Sequence, residues 1–93
     1  MKINLQTLHF KASDDLKNFV EDKVSKLAHF DDSIISAEVT LTEDGNSIDS
    51  KVCDVRLVVP CNDEYVKKHA VSFEEAIADA VDVLRKVLTD KKR

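Results

Sequence analysis

The C-terminal stretch of the sequence, residues 72–93, has the pattern of one long amphipathic helix. Ser72 is a candidate N-cap, and Glu75 follows three residues later, which is the spacing of a capping box. Behind this start, apolar residues recur every three or four positions, as they do on one face of a helix. They are Phe73, Ile77, Ala80, Val81, Leu84, Val87 and Leu88, to which Ala76 and Val83 add an edge.

An apolar face of this kind spans about 160° of the helix circumference. That width is enough to cover a sheet and also to touch a second helix. The sequence therefore predicts that this helix packs on a sheet and meets another helix along its Ala76 and Val83 edge.

Charge is graded along the same helix, with acidic residues early and basic residues late. Two explanations fit this order. Anions near the N-terminus and cations near the C-terminus complement the helix macrodipole, which is the simpler account. Alternatively, the basic end binds phosphate groups. The late cations are Arg85, Lys86, Lys91, Lys92 and Arg93.

The rest of the chain predicts one more helix and a small sheet. A helix is expected over residues 14–29 with Ser13 as its N-cap, and turns are expected at residues 43–47 and 61–63. The order is β-α-β-β-β-α, which predicts an α+β two-layer sandwich with two helices on one face of a four-stranded mixed sheet. Alternating or apolar runs predict the strands at residues 2–8, 35–42, 53–59 and 65–71.

The first helix carries two neighbouring stripes. One is apolar, and the other mixes aromatic and basic residues. Lys23 is the unusual member, because it falls by angle within the apolar arc. A lysine there is most often a boundary residue whose stem lies on apolar surface while its ammonium reaches water. The apolar stripe is Leu16, Val20, Val24 and Leu27, and the mixed stripe is Phe19, Lys23, Lys26 and Phe30.

The 93 residues are enough for one domain, spanning 1–93, that closes a core without disulfides. No apolar run is long enough to span a membrane, and the first residues lack a signal-peptide core, so a cytoplasmic location is expected. Cys53 and Cys61 are too far apart for a CxxC site, and Cys53 fits a core position. The net charge is −4.

The charge is unevenly distributed. Residues 31–64 contain nine acidic and two basic side chains and so carry −7, which leaves +3 on the rest of the chain. A local basic surface on an acidic protein is therefore compatible with this composition.

The sequence contains no catalytic motif of the nucleophile, P-loop, dinucleotide or zinc-protease type. The three histidines lack the spacing of a metal site. We therefore expect a protein that is not an enzyme and has no cofactor, metal or small-molecule substrate.

The basic residues of the two helices suggest a different function. If both helices lie side by side on one sheet, their cations form one patch that can follow a phosphate backbone. Most of the few aromatic residues fall at core positions, so contact with phosphate is a better prediction than base stacking on a strand surface. The candidate RNA-binding residues are Lys17, Lys23, Lys26, Arg85, Lys86 and Lys92.

Two runs of the sequence resemble a known family. ASDDLKNFVEDKVSKLAHF at residues 12–30 and SFEEAIADAVDVLRK at residues 72–86 are similar to the short ribosome hibernation-promoting factors. These are also called ribosome-associated inhibitors or sigma-factor modulation proteins. The most specific parts are the Phe19-Val20-x-x-Lys23-x-x-Lys26-Leu27 run and the Ala76-Ile77 pair.

The resemblance implies the same β-α-β-β-β-α fold and binding to ribosomal RNA of the small ribosomal subunit. It places the protein between the head and body, where messenger and transfer RNA otherwise sit, and implies inhibition of translation and ribosome hibernation under stress or in stationary phase. Among the family's RNA-contacting cations, Lys23, Lys26 and Lys86 match, with Arg85 and Lys92 close by.

The sequence ends at Arg93, without the C-terminal domain with which long family members pair ribosomes. A short form of this kind is expected to need a helper factor for ribosome dimerisation. A second hypothesis remains open from the residues alone. The same fold could be a protein-interaction module whose acidic segment, residues 31–64, meets a basic protein without binding RNA.

Overall fold

Seven elements follow one another in the order that the sequence predicts, with a short 3₁₀ helix added after the first α-helix. The computed structural model describes residues 1–45, 48, 50–60 and 63–91, and of Lys91 the backbone alone. The elements are β1 (Lys2–Leu8), α1 (Asp14–Ser25), the 3₁₀ helix (Lys26–His29), β2 (Ser36–Glu43), β3 (Lys51–Val58), β4 (Glu64–Ala70) and α2 (Phe73–Lys91).

The four strands form one mixed sheet in the order β1-β2-β3-β4. β1 and β2 are parallel, whereas β2 pairs with β3, and β3 with β4, in antiparallel registers. The turn between β2 and β3 begins as predicted, because Gly45 adopts a positive φ of 77° that a side chain would disfavour. Asn46 and Ser47 of that predicted turn, and Cys61 and Asn62 of the next, lie outside the described residues.

Both helices cover the same face of the sheet, which confirms the predicted two-layer sandwich. α2 packs against β3 and β4, and α1 packs against β1 and α2. β1 and β4 point the same way, and each leads into a helix that returns across the sheet. The two helices are therefore parallel, and their C-terminal ends lie at the same end of the molecule. Neither helix in the described part of the chain is long and apolar enough to cross a membrane.

The core lies between the helices and the sheet and is built from the predicted apolar positions. Cys53 has no exposed surface and packs in this core, as its position in an apolar run predicts. The largest of the other fully buried side chains are Val20, Val24, Leu27, Val39, Leu41, Val55, Leu57, Ile77, Leu84 and Leu88.

Two details differ from the sequence predictions. The α-helix predicted over residues 14–29 ends at Ser25, and its last turn is a 3₁₀ helix, a common tightening at helix C-termini. In addition, the edge of α2 that faces α1 holds Ala78 and Val81 rather than Ala76 and Val83. Ala76 is fully buried. At 100° per residue, Val83 lies on the opposite flank from Val81 and Ala78.

Each helix begins with the serine that the sequence predicts as its cap. The Leu16 N–H donates to Ser13 Oγ at 3.2 Å, and the Glu75 N–H donates to Ser72 Oγ at 3.2 Å. The second bond is one half of the predicted capping box. Both bonds satisfy backbone donors that have no partner within the helix.

Replacing Ser72 with alanine is expected to lower the free energy of unfolding by roughly 0.5–2 kcal/mol, because the Glu75 N–H loses its acceptor. Ser72→Gly should cost less, since glycine is a tolerable N-cap. Chemical denaturation of both variants measures the difference. Equal losses would mean that the Ser72 hydroxyl does not hold the helix start.

Candidate nucleic-acid interface

A groove of about 490 Å³ runs between α1, with its 3₁₀ extension, and α2. We call it the inter-helix groove. Part of its lining is apolar and consists of Leu27 and Phe30 on one side and Ala78 and Val81 on the other. Leu27 is fully buried, whereas Ala78 is exposed. The groove therefore has an apolar surface that reaches from the core to solvent.

The rest of the lining of the inter-helix groove is polar and mostly basic. The polar side chains are Lys23, Lys26, His29, Asp82 and Arg85. They come from the C-terminal halves of two parallel helices, where the macrodipoles place partial negative charge. Cations there stabilise the helix ends and at the same time place positive charge along an open groove. The two explanations of the charge gradient are therefore compatible.

Lys23 occupies the boundary position that its helical angle predicts. Its side chain is half-buried, and its Nζ lies 5.5 Å from the centroid of the Phe19 ring. At this distance the ammonium is attracted to the face of the ring. No ion pair of Lys23 occurs among the described residues. Its charge is therefore held in place by packing and remains available to a ligand.

Asp82 holds two of the basic side chains of α2. Arg85 Nη2 donates to Asp82 Oδ1 at 2.6 Å, and Lys86 Nζ lies 3.4 Å from Asp82 Oδ2. The hydrogen bond from Arg85 lowers the pKa of this carboxyl, and Lys86 adds to the effect. Asp82 therefore orders these cations while it compensates part of their charge.

The structure brings together part of the predicted set. Lys23, Lys26 and Arg85 line the inter-helix groove, and Lys86 is joined to it through Asp82. Lys17 is exposed, but by helical angle it lies about 120° from Lys23, on the flank of α1 that faces away from α2. Lys17 is therefore not among the residues that line the groove, and its part in RNA binding stays a prediction. Lys92 lies outside the described residues.

A second cavity of about 480 Å³ lies elsewhere among the described residues, and its polar lining is mostly acidic and histidine side chains. Burial, with a contribution from the charge of Asp54, raises the pKa of Cys53 to about 12, so this thiol is neutral and enclosed. Within the described ranges, no group of three or more His, Cys, Asp or Glu residues could hold a metal ion. The inter-helix groove is therefore the best candidate for a functional site.

The sequence of residues 3–93 matches the family model described as sigma 54 modulation protein / S30EA ribosomal protein. The chain belongs to this family. The match confirms the resemblance noted from the helical motifs and covers nearly the whole sequence. A search of curated proteins finds no match.

Two solved structures with the S30EA-type fold superimpose closely on this chain. The N-terminal domain of Protein Y from Thermus thermophilus gives a TM-score of 0.85 at 23% identity, covering 98% of this chain and 99% of that domain. A ribosomal subunit interface protein from Coxiella burnetii gives a TM-score of 0.86 at 16% identity, covering 99% and 98% respectively. At these identities the similarity confirms the fold.

Sequence reasoning placed three lining residues of the inter-helix groove, Lys23, Lys26 and Phe30, on one stripe of the first helix. It missed the opposite wall, formed by Ala78 and Val81, because the apolar arc of α2 does not reveal which edge faces α1. It also missed Asp82. The signal was present, since Asp82 stands three and four residues before Arg85 and Lys86, the spacing of ion pairs on a helix.

Proposed function

We propose that this protein is a non-enzymatic translation inhibitor that binds the small ribosomal subunit and holds ribosomes in hibernation under stress or in stationary phase. It occupies the channel that otherwise takes messenger and transfer RNA, and its contacts are with ribosomal RNA. Membership of the S30EA family supports the ribosome as partner. The placement in the channel comes from the resemblance of the two helical runs to the hibernation factors.

The observation that carries the proposal is the position of Lys23, Lys26 and Arg85. They lie on both sides of one groove between parallel helices, with side-chain exposure of 58% for Lys26 and 45% for Arg85. Two helices with cations along a shared groove can follow a phosphate backbone, and Lys86 extends the positive charge outward. RNA phosphates are the ligand that this arrangement suits.

The acidic net charge is compatible with this binding surface, because residues 31–64, which carry −7, contribute nothing to the lining of the inter-helix groove. Glu43 pairs with Lys51, and Asp63 pairs with Arg56 at 2.6 Å. Asp54 accepts a hydrogen bond from the Tyr65 hydroxyl at 2.9 Å. These residues belong to the segment 31–64 that the alternative hypothesis assigns to a basic protein partner. Their internal contacts make these three carboxylates less available to such a partner.

Co-sedimentation with purified small subunits in sucrose gradients tests the proposal. Empty subunits are compared with subunits already filled with messenger RNA and transfer RNA, each over a series of salt concentrations. We expect binding to empty subunits that weakens as salt rises, and little binding to filled ones. Equal binding to both would contradict occupancy of the channel. If the protein did not bind small subunits but bound a basic protein, and RNase treatment left that binding intact, the protein-interaction module would be favoured.

Asp82→Asn is expected to strengthen binding to small subunits and to steepen its salt dependence. The substitution removes a negative charge that lies 2.6 Å from Arg85 and 3.4 Å from Lys86, so both cations become more available to phosphate. Folding stability should change little, because these ion pairs are exposed.

The matched control for this variant is Asp79→Asn, which removes the same charge from an exposed position three residues earlier. It has no ion pair among the described residues. A similar gain from both variants would indicate a general effect of net charge. No gain from Asp82→Asn would contradict the role of Asp82 in compensating the two cations.

A further inference from the structure

The inter-helix groove has a feature that phosphate binding does not require. Phosphate contact needs cations, yet Leu27, Phe30, Ala78 and Val81 give the groove an apolar surface that is partly open to solvent. Its volume of about 490 Å³ falls within the range of sites that enclose small ligands, about 300–1,000 Å³. An open groove of this kind can accept the apolar part of a ligand.

The neighbouring charges indicate what kind of ligand covers the groove. Lys23, Lys26 and Arg85 line the same groove, so a ligand must present an apolar body close to an anion. An apolar protein surface provides only the apolar body, and inorganic phosphate provides only the anion. An unpaired nucleotide provides both, because a flat base with apolar faces is joined through its sugar to a phosphate.

The polar groups of the groove fit the same ligand. Phe30, half-buried on one wall, offers an aromatic surface of the kind on which unstacked RNA bases pack. His29 offers ring nitrogens for hydrogen bonds with the polar edge of a base, and the Asp82 carboxylate can accept a hydrogen bond from it. Arg85 offers the planar guanidinium that stacks on bases or binds phosphate.

We infer that the inter-helix groove holds one unstacked base of single-stranded RNA, while the surrounding cations bind its flanking phosphates. The inference rests on the proposed RNA-binding function and adds the ligand subsite. It also changes the expected mode of recognition. The sequence favoured contact with phosphate over base stacking on a strand surface, whereas a base in this groove makes binding depend on unpaired nucleotides and not only on charge.

The first test compares two strands of about twelve nucleotides, a length within the range of single-strand binding sites. One is oligouridylate, and the other is an abasic strand with the same number of phosphates. We expect the wild-type protein to bind oligouridylate about tenfold more tightly, which lies within the range for one stacked base. Equal affinity for the two strands would overturn the inference.

The second test fills the groove. Ala78→Phe places a ring against the apolar wall from an exposed position, without a change of charge. We expect it to abolish the preference for oligouridylate over the abasic strand while the salt dependence stays as in the wild type. Asn18→Phe is the matched control, because Asn18 is exposed on the solvent-facing side of α1. It should keep the preference.

NMR of the wild-type protein keeps the inference testable if Ala78→Phe folds poorly. Oligouridylate should shift the methyl signals of Leu27, Ala78 and Val81, whereas the abasic strand should leave them largely unchanged. Methyl signals that move equally with both strands would overturn the inference. Failure of both strands and of ribosomes to bind would instead contradict the proposed function, so the two failures are distinguishable.

Discussion

Leu84→Ala is expected to lower the free energy of unfolding by about 2–5 kcal/mol. Leu84 lies in the middle of α2 with 1% of its surface exposed, so the truncation removes buried methyl groups and leaves a cavity in the core. A domain of this size has a total stability of about 5–15 kcal/mol. The loss is therefore a large part of the total, and a fraction of the variant should be unfolded near physiological temperature.

Chemical denaturation measures this effect, and Leu8→Ala is the matched control. Leu8 lies at the end of β1 with 39% of its surface exposed, so the same truncation there should cost far less. Equal denaturation midpoints for the two variants would mean that Leu84 does not lie in the core and that α2 turns a different face toward the sheet.

The second large effect is expected on ribosome binding. The double variant Lys26→Ala/Lys86→Ala removes one cation that lines the inter-helix groove, Lys26, and one that lies next to it on α2, Lys86. It should bind small subunits more weakly. Its affinity should also depend less steeply on salt: the magnitude of the slope of log affinity against log salt should decrease by roughly 1.4–1.8, which is 0.7–0.9 for each lost phosphate contact. The fold should survive, because the ion pairs lost, Lys26–Asp22 at 3.6 Å and Lys86–Asp82 at 3.4 Å, are exposed.

Lys2→Ala/Lys67→Ala is the matched control for this double variant. Both lysines are exposed on the outer strands of the sheet, where their alternation with inward residues points them away from the helices. It removes the same charge and should retain the wild-type slope. A folded Lys26→Ala/Lys86→Ala protein with an unaltered slope would place RNA binding on another surface.

The fold could be predicted from the sequence because local signals agree with one another. Ser13 and Ser72 mark the helix starts, Gly45 marks a turn, and strand alternation fixes the inward face of β2 and β3. Each of these features depends on a few neighbouring residues. Their order then allows few topologies, since parallel strands need a crossover and antiparallel strands can follow a short turn.

The site could be predicted only in part, because it depends on how two distant segments approach each other. Lys23 and Lys26 were identifiable from their stripe on one helix. The flank of α2 that meets α1 is set by packing on the sheet, so the role of Val81 was not visible in its own helix pattern. Lys17 lies on the same helix as Lys23 but does not line the groove, since a shared helix does not guarantee a shared surface.

The most direct test of the central claim is site-specific photocrosslinking to small ribosomal subunits. A photoreactive amino acid replaces Ala78 in the inter-helix groove, and in a second protein it replaces Lys67 on the open face of the sheet. We predict crosslinks to ribosomal RNA of the messenger and transfer RNA channel from position 78, and few or none from position 67. Crosslinks to RNA from position 67 alone would contradict the helix surface as the RNA-binding site.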